Sequence, residues 1–169
     1  AELEAVARPV PGLLLDAQIG LLNAEYEDFD DVRFVATGGS RAFQKPAFAP
    51  RWTARYGAQY TLDMGDSGSL TFGAAAKSRS EMALAVDNTP TNSKVRLPGM
   101  WDDDHWIWDA RVVWESGDGR FTAGVYGQNI GDELYKTDAQ EFSSVGGIRT
   151  AYYGAPRTVT LRLSAPPLC

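Results

Sequence analysis

The densest group of side chains able to do chemistry is Asp102-Asp103-Asp104-His105, and with Asp28, Asp30 and Asp31 it offers the hard oxygen ligands that suit Ca²⁺. Consecutive residues of an extended chain point to opposite sides and do not converge on one ion, so no metal centre is expected. His105 is the only histidine and Cys169 the only cysteine. That removes histidine-based triads, two-histidine metal sites, internal disulfides and cysteine-ligated zinc together. Asp109 and Glu115 share one strand face but stand roughly 20 Å apart at ~3.3 Å per residue, too far to work as a carboxylate pair. Neither Gly-x-Ser-x-Gly nor Gly-x-Gly-x-x-Gly occurs, and Gly38-Gly39 and Gly146-Gly147 read as loop tips. No enzyme and no cofactor is expected.

With 44% hydrophobic and 22% charged residues, the 169-residue chain has a globular composition and room for one domain. Its 22 acidic and 16 basic side chains give a formal charge of −6. No positive surface is available to neutralise a phosphate backbone, so nucleic acid is not an expected partner. Residues 1–8 lack the basic start and apolar core of a secretion signal. The longest uncharged stretch, 121–131, falls short of the ~18 apolar residues of a membrane-crossing helix. A barrel strand crosses with only ~9–11 residues, of which alternate ones face lipid, so periodicity has to decide.

The periodicity is two. Trp106, Trp108, Ala110, Val112 and Trp114 alternate with Ile107, Asp109, Arg111, Val113 and Glu115. A helix would scatter these tryptophans around its axis, whereas a strand collects them on one side. Trp52, Ala54, Tyr56, Ala58, Tyr60 and Leu62 likewise oppose Arg51, Thr53, Arg55, Gly57, Gln59, Thr61 and Asp63. Leu13, Leu15, Ala17, Ile19 and Leu21 repeat the pattern, with Leu14 and Leu22 as exceptions. Weaker copies start at Leu70, Phe121 and Thr158, and Glu2 opens a truncated first member, which makes seven strands.

The connections sort by length. Pro9-Val10-Pro11-Gly12, 64–68 and Gly117-Asp118-Gly119 are short and turn-forming. Those at 28–50, 84–104 and 132–150 run to about 20 residues each, uncommon inside compact soluble domains. Short and long alternate strictly, as in an outer-membrane barrel with turns on one rim and loops on the other. The apolar face is rich in Trp, Tyr, Ala and Leu with aromatics toward strand ends, which suits lipid and its interfacial girdles better than a sandwich core. The wet face carries Asp16, Gln18, Arg51, Arg55, Gln59, Lys77, Asp109, Arg111, Gln128 and Arg162, too polar for a packed interior. The expected fold is therefore all-β, an antiparallel meander of about seven strands forming an incomplete piece of a transmembrane β-barrel. Lipid-facing residues are expected to be Trp52, Tyr60, Trp106, Trp108 and Trp114, and lumen-facing ones Arg55, Asp109 and Arg111.

Motifs at the strand ends add a resemblance that spans nearly the whole chain. Asn129-Ile130-Gly131-Asp132-Glu133-Leu134-Tyr135 resembles the Asn-Leu-x-Asp-x-x-Tyr that recurs in TonB-dependent outer-membrane receptors, at the outer end of the penultimate barrel strand. Tyr153-Gly154-Ala155-Pro156-Arg157-Thr158 resembles the Gly-x-Pro-Arg segment that opens their final strand. Asn23-Ala24-Glu25-Tyr26, then Ala49-Pro50-Arg51-Trp52-Thr53 and Tyr60, follow in the family's order and spacing. Asn129, Asp132, Tyr135, Gly154, Pro156 and Arg157 are thus the residues that carry the family motifs.

The resemblance implies that 1–169 is a partial C-terminal barrel segment without the plug domain or the N-terminal strands. It implies uptake of a scarce nutrient, a ferric siderophore, a corrinoid or similar, in the bacterial outer membrane. The implied partners are outer-membrane lipid, the small-molecule nutrient, and the TonB energy-transducing complex acting through the missing plug. This chain would supply barrel wall and extracellular loops, about a third of a pore of about 22 strands. The close at Pro166-Pro167-Leu168-Cys169 departs from the family's aromatic ending and reads as a truncated or frame-shifted product. Asn129 and Asp132 are expected to satisfy backbone donors at the strand end, and Tyr135 and Tyr153 to fit the outer belt. Gln140, Glu141, Arg149 and Tyr152, around the flexible Gly146-Gly147, are the candidate ligand contacts. The rival readings are a small barrel or sheet with a structural or adhesive role, and a soluble β-sandwich binding module.

Overall fold

The computed structural model describes residues 1–30, 40–89, 95–142 and 146–166, so Asp31, Gly38-Gly39 and the end of the chain from Pro167 lie outside the described residues. Eleven strands follow in order among the described residues. They are β1 (Glu2–Ala7), β2 (Leu13–Leu21), β3 (Trp52–Asp63), β4 (Ser69–Arg79), β5 (Met82–Ala83), β6 (Trp101–Asp102), β7 (His105–Glu115), β8 (Thr122–Gln128), β9 (Lys136–Phe142), β10 (Ile148–Tyr153) and β11 (Thr158–Ser164). One sheet takes seven of them in the order β1-β2-β3-β4-β7-β8-β11, every pair antiparallel. These are the seven strands expected from the alternation, and the sheet is open, not closed.

Register carries the two-faced pattern across the whole sheet. Gln18 stands opposite Arg55, Arg55 opposite Lys77, Ala75 opposite Asp109, and Arg111 opposite Tyr126. The other parity lines up Ala17, Tyr56, Ala76 and Trp108, then Leu13, Tyr60, Phe72 and Val112. A one-residue slip anywhere would exchange the faces, so this agreement fixes the pairing.

The apolar face has no cover: Trp108 is 49%, Tyr56 42%, Val125 47% and Leu161 65% exposed. A soluble sandwich would lay a second sheet here, and none lies over it among the described residues. Aromatic rings sit toward both rims. Tyr56, Trp106 and Trp108 stack at 6.1 and 6.0 Å near the loop end. Near the turn end the Trp114 indole donates to the Ser67 carbonyl at 3.0 Å. Trp106 and Trp114 are separated by roughly 26 Å of strand, close to the ~25 Å apolar band of an outer-membrane barrel.

The turns are tight for identifiable reasons. Gly12 and Gly68 take φ of 81° and 94°, which side chains disfavour. Between β7 and β8, the Asp118 carboxylate accepts from Ser116 Oγ at 2.6 Å and from the Arg120 amide at 3.1 Å. Those donors hold its carboxyl below the ordinary value.

The long connections differ from the expected loops. The one at 84–104 ends on β6, which pairs with β5, and the one at 132–150 contains the β9–β10 hairpin. Neither could be read from alternation, because Lys136–Phe142 is mostly polar and β5 and β6 have two residues each. The main buried apolar cluster also lies here, while the sheet contributes Ala76 alone among the described buried hydrophobic residues. Met82, Leu84, Met100 and Ala139 are each no more than 4% exposed, with Leu97 and Trp101 against them.

Candidate functional site

The sheet and its loop end offer two candidate surfaces. On the wet face a concavity of about 440 Å³ is lined by Asp16, Arg55, Lys77, Asp109, Arg111 and Tyr126 among others. Arg55 pairs with Asp16, Lys77 donates to Asp109 at 2.8 Å, and Arg111 reaches over Gly73 to Gln59. A Cβ at Gly73 would meet the Arg111 side chain at 3.0 Å, so glycine leaves the room in which that guanidinium lies flat. Trp52, Tyr60, Trp106, Trp108 and Trp114 project from the opposite face, as the parity of β3 and β7 requires. The band is charged, largely paired internally and open. It can offer hydrogen bonds to a passing solute but holds no catalytic grouping.

At the loop end, two amides that the sequence did not single out tie the first long connection to the second. Gln44 Oε1 accepts from the amides of Asn88 and Thr89 at 3.0 and 2.9 Å, and its Nε2 donates to the Thr89 carbonyl at 2.7 Å. Asn88 Nδ2 in turn donates to the carbonyls of Lys45, Ala85 and Val86. Both amides are essentially fully buried. Each sits in a polar stretch without periodicity, so no sequence signal marked them.

The aspartate-rich run does not follow the alternation expected of one extended strand, because β6 ends at Asp102 and β7 begins at His105. Asp102 and His105 are buried, Asp103 and Asp104 exposed. Asp102 Oδ2 accepts from Arg79 at 2.9 Å and lies 3.1 Å from His105 Nδ1. Asp28 accepts from Ser40. No group of three or more potential metal ligands converges among the described residues.

The four candidate ligand contacts all lie on the β9–β10 hairpin, but not on one side of it. Gln140 faces Thr150 and Asp138 faces Tyr152, whereas Glu141 faces Arg149 and Ala139 faces Ala151. Gln140 and Tyr152 therefore share one face with Phe142 and Ile148. Glu141 and Arg149 share the other with Ala139, which is buried in the core. The hairpin pairing replaces the flexible cluster expected around Gly146-Gly147, and each glycine keeps a positive φ at the tip.

The strand-end motifs interlock with each other. Asn129, at φ 48° and 4% exposed, accepts from the Glu133 amide at 2.9 Å. Its Nδ2 donates to the carbonyls of Glu133 and Ala155 at 2.9 and 3.1 Å. Asp132 accepts from the Arg157 amide at 3.0 Å, and its other oxygen lies 3.8 Å from the Arg157 guanidinium. Pro156, beside them, has no amide to place and so costs this junction no donor. Tyr135 does not take the belt position expected of it: its ring covers Gly154 and lies 5.1 Å from the His105 ring, on the wet side. Tyr153 remains 54% exposed.

The sequence matches no family model and no curated protein. The fold does match solved structures. The ferric yersiniabactin uptake receptor FyuA from Yersinia pestis aligns over 97% of this chain with a TM-score of 0.74 and 21% identity. The siderophore receptor PiuA from Acinetobacter baumannii aligns over 97% with a TM-score of 0.67 and 16% identity. The chain spans 22% of the first receptor and 21% of the second. In topology and in its two-faced sheet, the chain has the fold of a segment of the β-barrel of these siderophore receptors.

Proposed function

We propose that residues 1–169 form a C-terminal segment of the barrel of a TonB-dependent receptor in the bacterial outer membrane, which imports a scarce nutrient such as a ferric siderophore or corrinoid. The observation that carries this reading is the sheet's construction. One face is apolar, ringed and uncovered, the other charged and concave, and every long connection stands at one rim. A lipid-exposed wall with a hydrated lumen needs all three.

In this reading Trp52, Tyr60, Trp106, Trp108 and Trp114 meet lipid, while Arg55, Asp109 and Arg111 line the lumen. Cargo is met first by the long connections, where side chains on a rigid scaffold can vary without disturbing the wall. Gln140 and Tyr152 stand on the exposed face of the β9–β10 hairpin and are the better-placed contacts. Glu141 and Arg149 belong to its inner face and rim. The energising partner acts through a plug domain supplied by the rest of the receptor, and no chemistry is done on the cargo.

The test is uptake of iron-55 chelates by a bacterial strain without siderophore receptors of its own, expressing the full-length protein that contains this chain. Uptake should require an active TonB complex. Shortening the β9–β10 hairpin should weaken it at least about tenfold, whereas replacing Gly117-Asp118-Gly119 with another tight turn should leave it within about twofold. TonB-independent uptake, or none of any chelate or corrinoid, would contradict the reading.

A further inference from the structure

Among the described residues Asp102 is the only carboxylate in the buried class, 3% exposed. It gathers three strands of the loop end. Oδ2 accepts from Arg79, the last residue of β4, at 2.9 Å and lies 3.1 Å from Nδ1 of His105, the first residue of β7. Oδ1 accepts from the amide of Lys136, the first residue of β9, at 2.7 Å. Arg79 also donates to the Lys136 carbonyl at 2.8 Å, and Lys136 Nζ donates to the Trp101 carbonyl at 3.0 Å. Both backbone polar groups of Lys136 are thus committed, the carbonyl to Arg79 at the end of wall strand β4 and the amide to Asp102 on β6. At the other root of the hairpin the Gly154 amide donates to Tyr135, whose ring lies between Gly154 and His105. Beyond these roots, Ala139 is the one described hairpin residue in the buried core. Phe142, Ile148 and Tyr152 stand 42%, 53% and 51% exposed on the outer face.

We propose that Asp102 is a positioning residue for recognition: it fixes the angle of the β9–β10 hairpin on the barrel strands, so that Gln140, Phe142, Ile148 and Tyr152 meet cargo as a preset surface. The proposal rests on the transport reading above for the word recognition, and on geometry alone for the fixed angle. A carboxylate suits the place because the Arg79 guanidinium and the Lys136 amide donate to its two oxygens, while His105 Nδ1, also 3.1 Å from the Asp103 carbonyl, borders Oδ2. An asparagine amide would turn its own donors toward Arg79 and His105, or toward the Lys136 amide. A buried hydrogen-bonded charge that loses one partner leaves the other uncompensated, so the arrangement holds as a unit or opens as one.

The experiment uses the full-length receptor in outer membranes, with Cys169→Ser and spin labels at Thr150→Cys on the hairpin and Arg120→Cys on the turn rim. The unmodified hub should give a narrow distance distribution, and Asp102→Asn one about twice as wide. Asp103→Asn, which alters the exposed neighbour, should leave the width unchanged. Should Asp102→Asn fail to insert, Arg79→Lys replaces it, since an ammonium cannot present the guanidinium fork and should broaden the distribution likewise. A distribution as narrow as the parent's in whichever variant inserts overturns the proposal. Uptake of catecholate, hydroxamate and phenolate iron-55 chelates is measured beside it. Asp102→Asn should raise the half-saturating concentration about tenfold with little change in maximal rate. A fall in maximal rate alone overturns the recognition role. If the unmodified receptor takes up none of these chelates or a corrinoid, the transport reading fails, while the distance widths still decide the hub.

Discussion

Tyr135 lays its ring on the α-carbon of Gly154 while its carbonyl accepts the Gly154 amide at 2.9 Å, so the two strand-end motifs meet ring to backbone. Any side chain at 154 would occupy the space of that ring. Gly154→Ala should therefore destabilise the assembled barrel by about 1–3 kcal/mol, the usual range for overpacking a tight contact. The folded fraction on heat-modifiability gels measures this. Adding Tyr135→Ala to Gly154→Ala should recover part of the loss, because the clash is then gone.

Asn129 uses its acceptor and its donor at once, each on backbone. Asn129→Ala should cost about 1–3 kcal/mol by leaving the Glu133 amide and the Glu133 and Ala155 carbonyls with fewer partners in a buried site. Asn129→Asp should not rescue it, since a carboxylate cannot donate to those carbonyls. Urea unfolding of the receptor in detergent or lipid compares the two, and a stable Asp variant would show that the donor is unimportant.

Much of this was legible in the residues, and the boundary of legibility is physical. Trp106 to Glu115 alternates in side-chain character along one strand, so parity alone puts Trp108 and Asp109 on opposite faces of the sheet. The Asn129 and Gly154 motifs are short and local, so they too could be read. Gln44, Asn88 and the hub at Asp102 could not. Gln44 meets Asn88 and Thr89, Asn88 meets Lys45, and Asp102 meets Arg79 and Lys136, each more than twenty residues away, and a side chain that serves distant groups has no periodic signature. The hairpin from Lys136 to Tyr153 escapes the alternation because Lys136–Phe142 is mostly polar and its root is held by Asp102 and Arg79, far away in sequence.

The turn between β7 and β8 should respond to acid. Ser116 and the Arg120 amide hold the Asp118 carboxyl below its ordinary 3.8. A carboxyl depressed in the folded state contributes stability above its unfolded value and loses it as pH falls through the folded one. Amide exchange at Arg120, corrected for intrinsic rate, should be slower in the parent than in Asp118→Ala at about pH 6, and that difference should shrink as pH falls below the ordinary 3.8. A difference independent of pH would mean that the carboxylate is not the acceptor that matters.

Expressed alone, residues 1–169 should not persist as a soluble monomer. Trp108, Val125, Leu161 and Leu163 lie on a continuous apolar face with exposures from 47% to 74%. Soluble monomers rarely carry such a patch beyond a few hundred Å². The outer edges of β1 and β11 also offer unpaired backbone to other chains. Gel filtration without detergent should give aggregates, and a sharp monomer peak with cooperative unfolding would speak for a soluble domain.

The most direct measurement concerns Arg111 and Val112, adjacent on β7, of opposite parity and both exposed on the isolated sheet. Only a membrane would make them differ in access to water. With Cys169→Ser as background, single cysteines at Arg111 and Val112 in the full-length receptor are treated in intact outer membranes with a charged, membrane-impermeant maleimide. Residue 111 should label rapidly through the hydrated lumen and residue 112 should be protected against lipid, with the protection lost on denaturation. Equal labelling of the two in native membranes, or faster labelling at 112, would contradict it.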